Sequence, residues 1–164
     1  MTARVFENVG KLAAEIEDRY KATAIIGIDG WTGAGKTTLA RALAEATGGS
    51  NFDIDDALIR DQECFVPALQ LDLIRSGLSE PKGLIFISGI CLRQVLELSG
   101  CAADAHIYTK RMATWGWADE DELTDSVLPE IAGASGEATR REMRAYHREW
   151  IPHLKADYEF HRLA

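Results

Sequence analysis

The amino-acid sequence predicts an α/β fold, a parallel sheet sandwiched between helices. Two observations carry this. Residues 24–29 (AIIGID) and 84–88 (LIFIS) are nearly continuous apolar runs, as expected of strands covered on both faces. Around them lie segments whose apolar residues recur at three- and four-residue spacings, the pattern of helices with one buried stripe.

The elements follow in order. Val5, Phe6, Val9, Leu12, Ala13, Ile16 and Tyr20 place a helix over residues 3–20. After the strand 24–29 and a Gly-rich turn, Leu39, Ala40, Leu43, Ala44 and Ala46 mark a helix over 37–47, stopped by Gly48 and Gly49. A brief strand at 51–54 leads to a helical stretch over 57–76 that Pro67 interrupts. The third strand is 84–88, followed by a helix over 91–98 and a fourth strand at 103–108 that carries Asp104 and His106. Residues 111–137 hold Trp115, Trp117, an acidic cluster (Asp119 to Glu122, and Asp125) and Gly116, Gly133 and Gly136; they read as a lid-like excursion. A helix over 139–150 and a fifth strand at 157–161 complete a single domain, 1–164.

Composition excludes several classes of function. Net charge is −8, from 26 acids against 18 bases, which argues against a general nucleic-acid binder. Cys64, Cys91 and Cys101 lack zinc-ligand spacing and read as free thiols of a reducing compartment. Arg4, Glu7 and Lys11 stand where a secretory signal would be apolar, and the apolar runs are too short to span a bilayer. A cytoplasmic protein with no membrane partner is expected; nothing in the sequence sets its oligomeric state.

Residues 30–37, Gly30-Trp31-Thr32-Gly33-Ala34-Gly35-Lys36-Thr37, satisfy G-x-x-x-x-G-K-[ST] between a buried strand and a helix. Such a loop curls so that successive N–H groups face inward onto phosphate, and the helix adds its positive end. Gly30, Gly33, Ala34, Gly35, Lys36, Thr37 and Thr38 are therefore the candidate nucleotide-binding residues. Lys36 would reach the outer phosphates and the Thr37 hydroxyl would ligate Mg²⁺, which points to ATP·Mg²⁺.

The run IIGIDGWTGAGKTTLARALAE resembles the opening of uridine kinase-like P-loop kinases. LARALAEATGGSNFDIDDALI is similar to shikimate and gluconate kinases. Both resemblances imply a three-layer P-loop NTPase fold with five parallel strands and a lid insert, about 111–137. They also imply phosphoryl transfer from ATP to a hydroxyl of a small-molecule acceptor. Within that resemblance Asp55 matches the residue that faces the acceptor hydroxyl, and Asp53 joins Thr37 at the metal.

Asp53, Asp55 and Asp56 stand at the end of the second strand, where alternation sends Asp53 and Asp55 to one face; Asp56 is expected to cap a helix. Asp29 precedes the loop, with a place in the metal's water shell and a structural role both open. The uridine kinase-like pattern ends its third strand with Glu-Gly, whereas this chain has Ser88-Gly89, so the metal would fall to Asp53 or Asp29.

Arginines commonly stabilise charge on a transferred phosphoryl group. Arg111 follows the fourth strand. Arg140, Arg144 and Arg148 share a helix face, and of these Arg111 and Arg144 are the candidates. The tail from Tyr146 through Pro152 to Asp157 looks like a uridine kinase-like ending, in which the loop after the last strand contributes to the base pocket. Base recognition is expected to be either reduced or supplied by Arg111 and its neighbours, which leaves ATP against GTP open. Two other readings stay open: a nucleotide-binding regulator or slow NTPase, and a nucleotide kinase.

Overall fold

A computed structural model describes residues 2–59, 65–79, 83–124 and 137–163. In chain order the elements are β1 (Arg4–Phe6), α1 (Val9–Arg19), β2 (Ala24–Gly30), α2 (Lys36–Thr47), β3 (Ser50–Asp53), α3 (Leu71–Leu78), β4 (Leu84–Ser88), α4 (Leu92–Leu98), β5 (Ala105–Ala113), β6 (Gly116–Trp117), α5 (Glu137–Trp150), α6 (Pro152–Lys155) and β7 (Tyr158–Leu163). Short 3-10 turns lie at Ile54–Ala57, Val66–Ala68 and Glu120–Leu123.

The strands form one sheet in the order β1-β7-β5-β2-β4-β3, all parallel, with β6 antiparallel on β5. The five expected strands are consecutive in it, from the edge strand β3 through β4, β2 and β5 to β7. Seven strands are present among the described residues rather than five, and each addition has a local cause. Val5 and Phe6 match helical spacing, but the Asn8 carboxamide accepts the Lys11 N–H at 3.0 Å and caps α1 there. The helix therefore begins at Val9, and Arg4–Phe6 pairs with β7 instead. At the other addition, β5 runs on to Ala113 and returns as β6 through Gly116, whose φ of 138° glycine tolerates. The first part of the expected lid is thus sheet. The Glu120–Leu123 turn follows, and residues 125–136, with Asp125, Gly133 and Gly136, lie outside the described residues, as does Cys64.

Alternation along the strands divides the core into two layers. Ile26, Ile28, Phe86, Ile107 and Phe160 face α1 and α2, while Ile85 and Ile87 face the layer of α3, α4 and α5. Each fully buried side chain of this size contributes roughly 1.5–3 kcal/mol. The stretch 57–76 is less helical than its composition predicts: α3 is its one α-helix among the described residues, and Pro67 sits inside the Val66–Ala68 turn. No described helix is long and apolar enough to cross a membrane.

One close approach fixes the end of β4 against the turn after β3. A Cβ on Gly89 would lie 2.0 Å from Cγ1 and 2.1 Å from Cδ1 of Ile54, a side chain with no exposed surface. Gly89→Ala is expected to destabilise the fold by about 1–3 kcal/mol through overpacking, measured as a lowered urea midpoint with an unchanged slope.

Candidate functional site

The carboxyl ends of β2, β3 and β4 meet where the strand order reverses direction, with β4 on one side of β2 and β5 on the other. Open α/β sheets bind ligands at such a point. A cavity of about 600 Å³ lies there, walled by Gly33, Gly35, Lys36, Thr37 and Thr38 of the phosphate loop, Asp53 and Asp55 of the neighbouring segment, and Leu58, Phe65, Ile90, Thr139 and Arg162.

The loop's conformation follows from its sequence. Gly33 and Gly35 take φ of 74° and 90°, which lets the chain turn directly into α2 at Lys36. The Ala34 N–H closes the turn onto the Trp31 carbonyl at 3.1 Å. The Gly30 N–H is held by Asp29 Oδ1 at 2.8 Å. These two expected nucleotide contacts therefore shape the loop itself in this structure, while Gly33, Gly35, Lys36, Thr37 and Thr38 face the cavity. Lys36 donates from Nζ to the Trp31 carbonyl at 2.7 Å. Burial lowers its pKa, against the opposing pull of Asp29, Asp55 and Asp53.

The Thr37 hydroxyl donates to Asp53 Oδ2 at 2.9 Å, and Asp53 Oδ1 accepts the Asp55 N–H at 3.0 Å. The second bond explains a departure from expectation. It bends the chain into the Ile54–Ala57 turn, so Asp55 leaves the strand and alternation no longer places it. The capping acid is Asp53, not Asp56, because the residue at the strand's end is the one whose carboxylate reaches the turn's N–H. Asp55 still faces the cavity. Its pKa is raised by partial burial first and by the neighbouring Asp53 carboxylate second.

Thr37 and Asp53 together fit a Mg²⁺ ion: two hard oxygen ligands adjoin the phosphate cradle, leaving other positions for water and phosphate. Ser88 lies beside Asp53 in the sheet register, buried, with its hydroxyl unpartnered. Asp29 is buried and does not line the cavity. One oxygen holds Gly30 and the other accepts from the Tyr146 hydroxyl, which in turn accepts the Arg93 N–H. Both Asp29 oxygens are thus engaged within the fold.

The two candidate arginines lie elsewhere. Arg111 donates to Asp119 Oδ1 at 2.7 Å in the β5–β6 hairpin, and Arg144 donates to the Glu122 carbonyl at 2.9 Å; neither lines the cavity. Trp117 packs on Tyr108 and His153, whereas Trp115 is 81% exposed at the hairpin tip.

Three contributors escape a reading by motif. Arg162 of β7 donates to the Ala34 carbonyl from Nε and to the Gly33 carbonyl from Nη2, each at 2.9 Å. The signal was present: Tyr158, Phe160 and Arg162 alternate onto one face, the face that packs against α2. Glu142 of α5 accepts the Phe65 and Val66 N–H groups at 2.5 and 3.0 Å. His147 lies against the Trp31 ring, 5.7 Å between centroids. Its Nδ1 is 2.6 Å from the Met143 carbonyl and so carries the proton, leaving Nε2 to accept from the Tyr108 hydroxyl at 2.8 Å. Burial lowers its pKa to about 4, so the ring is neutral.

Burial raises the Asp29 pKa to about 6, against the lowering effect of its Tyr146 and Gly30 bonds. A raised carboxyl pKa favours folding at low pH, and the contribution fades as pH climbs from about 4 through 6. Asp29→Asn keeps an acceptor for Gly30 but cannot ionise. The stability of wild type relative to Asp29→Asn is therefore expected to fall by about 2 kcal/mol between pH 4 and pH 7. Urea unfolding of both proteins at the two pH values measures this, and the buried histidines they share cancel in the difference.

No protein-family model matches the chain, and no curated protein matches it by sequence. Among solved structures it is similar to a possible uridine kinase from Bacillus stearothermophilus, at 16% identity and a TM-score of 0.57 over 93% of this chain and 96% of that one. A shikimate kinase from Bacteroides thetaiotaomicron aligns at 18% identity and a TM-score of 0.46, covering 85% and 87%. The sheet order and the first of these likenesses show that the chain shares its α/β fold, with a parallel sheet and the loop between β2 and α2, with that possible uridine kinase.

Proposed function

We propose that the chain transfers the γ-phosphoryl group of ATP to a hydroxyl of a small metabolite. One observation carries the reading: the Thr37–Asp53 bond and the Asp55 carboxylate lie in one cavity wall, beside the loop that ends in Lys36. In this reading the inward amides of the loop and the Lys36 ammonium hold the phosphates. The bound Mg²⁺, held by Thr37 and Asp53, would neutralise charge on the outer phosphates. Asp55 orients the acceptor hydroxyl and takes its proton as the oxygen bonds to the γ-phosphorus and the bond to the bridging oxygen breaks. A carboxylate whose pKa is raised by burial is a better base for this than a solvated one. Leu58, Phe65 and Ile90 form an apolar wall on the acceptor side and would exclude water from the transfer.

A second reading, a nucleotide-binding regulator or slow NTPase, is favoured by Ser88, which leaves β4 without a terminal carboxylate. One assay separates the two. ADP release is followed with panels of nucleosides, sugars and small hydroxy acids. For the kinase, one class of acceptor stimulates release, and Asp55→Asn lowers the stimulated rate by roughly 10²–10⁴-fold while ATP binding persists. Lys36→Ala is expected to abolish binding. Intact binding with no response to any acceptor would instead favour the regulator.

A further inference from the structure

The guanidinium of Arg162 occupies an unusual place for a cation beside a phosphate site. It lines the cavity, yet its donors Nε and Nη2 are spent on the Ala34 and Gly33 carbonyls of the loop itself. A peptide plane that directs its carbonyl one way directs its N–H the other, so gripping these two oxygens turns the N–H groups of Ala34 and Gly35 away from Arg162, the first onto the Trp31 carbonyl and the second toward the interior of the loop. The grip is also steric. A Cβ on Gly35 would stand 2.8 Å from Arg162 Nε and 3.0 Å from Cδ, so the arginine packs flat where Gly35 has no side chain. β7 holds the residue from behind, its register with β5 pairing Arg162 with Arg111. Arg111 is committed to Asp119, and Arg162 to the loop.

We propose that Arg162 is a positioning residue for nucleotide binding, a clamp from the last strand that holds the phosphate loop in its binding shape before any phosphate arrives. The inference rests on the nucleotide-binding reading above and adds to it a residue outside the loop motif. A loop free to leave its binding shape lowers the apparent affinity by the fraction of time it is competent. The effect acts through the loop, so it falls on anything that binds by its phosphates. Lysine supplies charge but a single point donor, and cannot span two carbonyls as the planar guanidinium does.

The full chain is compared with Arg162→Met and Arg162→Lys, each first shown to melt near the wild-type temperature. Dissociation constants are measured by calorimetry for ATP·Mg²⁺ and for inorganic tripolyphosphate with Mg²⁺, and amide exchange is followed over residues 30–37 with no ligand present. Expected are about a tenfold or greater loss of affinity for both ligands in Arg162→Met, partial recovery in Arg162→Lys, and faster exchange in the empty loop. Unchanged affinities, or unchanged exchange, would overturn the clamp. Loss for ATP with none for tripolyphosphate would also overturn it, since Arg162 would then be acting on the nucleoside. If the wild type binds neither ligand, the nucleotide reading itself fails and the inference with it, even where exchange shows that Arg162 holds the loop.

Discussion

A loop that cradles phosphate must keep several N–H groups unpaired and turned inward, so whatever holds it in shape has to grip it by its carbonyls. That requirement organises the surroundings of residues 30–37. Lys36 and the Ala34 N–H both converge on the Trp31 carbonyl, and Arg162 takes those of Gly33 and Ala34. The one loop N–H given up to a side chain is at the entrance, Gly30, and it goes to the buried Asp29. Burying a carboxylate there is costly, as its raised pKa records. Tyr146 and Gly30 satisfy both of its oxygens, which makes it tolerable.

α5 is the element through which the rest of the molecule reaches this loop. Tyr146 joins it to Asp29 and, through the Arg93 N–H, to the start of α4. His147 supports the Trp31 ring on one side and Tyr108 of β5 on the other. Glu142 ties the same helix to the Val66–Ala68 turn, and Arg144 ties it to the Glu120–Leu123 turn. Glutamate at this site puts a charge-assisted acceptor on two otherwise open N–H groups, the stronger kind of hydrogen bond. A single helix therefore links the Gly-rich loop to the segment carrying Phe65, which lines the cavity.

The centre of the sheet and the phosphate loop are legible because each depends on local information. Apolar runs name the buried strands, and glycines at fixed offsets name a turn that other residues could not make. What escaped the sequence depends on the ends of elements. Val5 and Phe6 fit a helix by spacing, and a single Asn8 side chain decides otherwise. Asp55 fits a strand face by alternation, and the Asp53 carboxylate bends it away. Arg111 and Arg144 stand at plausible places along the chain, yet their partners, Asp119 and Glu122, come from the expected lid. Arginine reach exceeds the precision of sequence spacing. Arg162 shows the converse, since its face was readable from Tyr158 and Phe160 but its target, two backbone oxygens, has no sequence signature.

The electrostatics of the cavity tie these features together. Lys36 feels the charge of three carboxylates, Asp29, Asp55 and Asp53. The pull of these acids opposes the desolvation that lowers its pKa. A bare triphosphate entering this space would meet the charge of Asp53 and Asp55 and would raise the Asp55 pKa further, toward the protonated form that cannot accept a proton. In the proposed reading, a divalent cation held by Thr37 and Asp53 would reverse both effects, drawing phosphate in and keeping Asp55 ionised. In the same reading, the Thr37–Asp53 hydrogen bond thus stands where the phosphate side and the acceptor side would be balanced against each other. An acid at the Ser88 position would add a further negative charge beside Asp53, and the buried hydroxyl there leaves that balance to Asp53 alone within the pair.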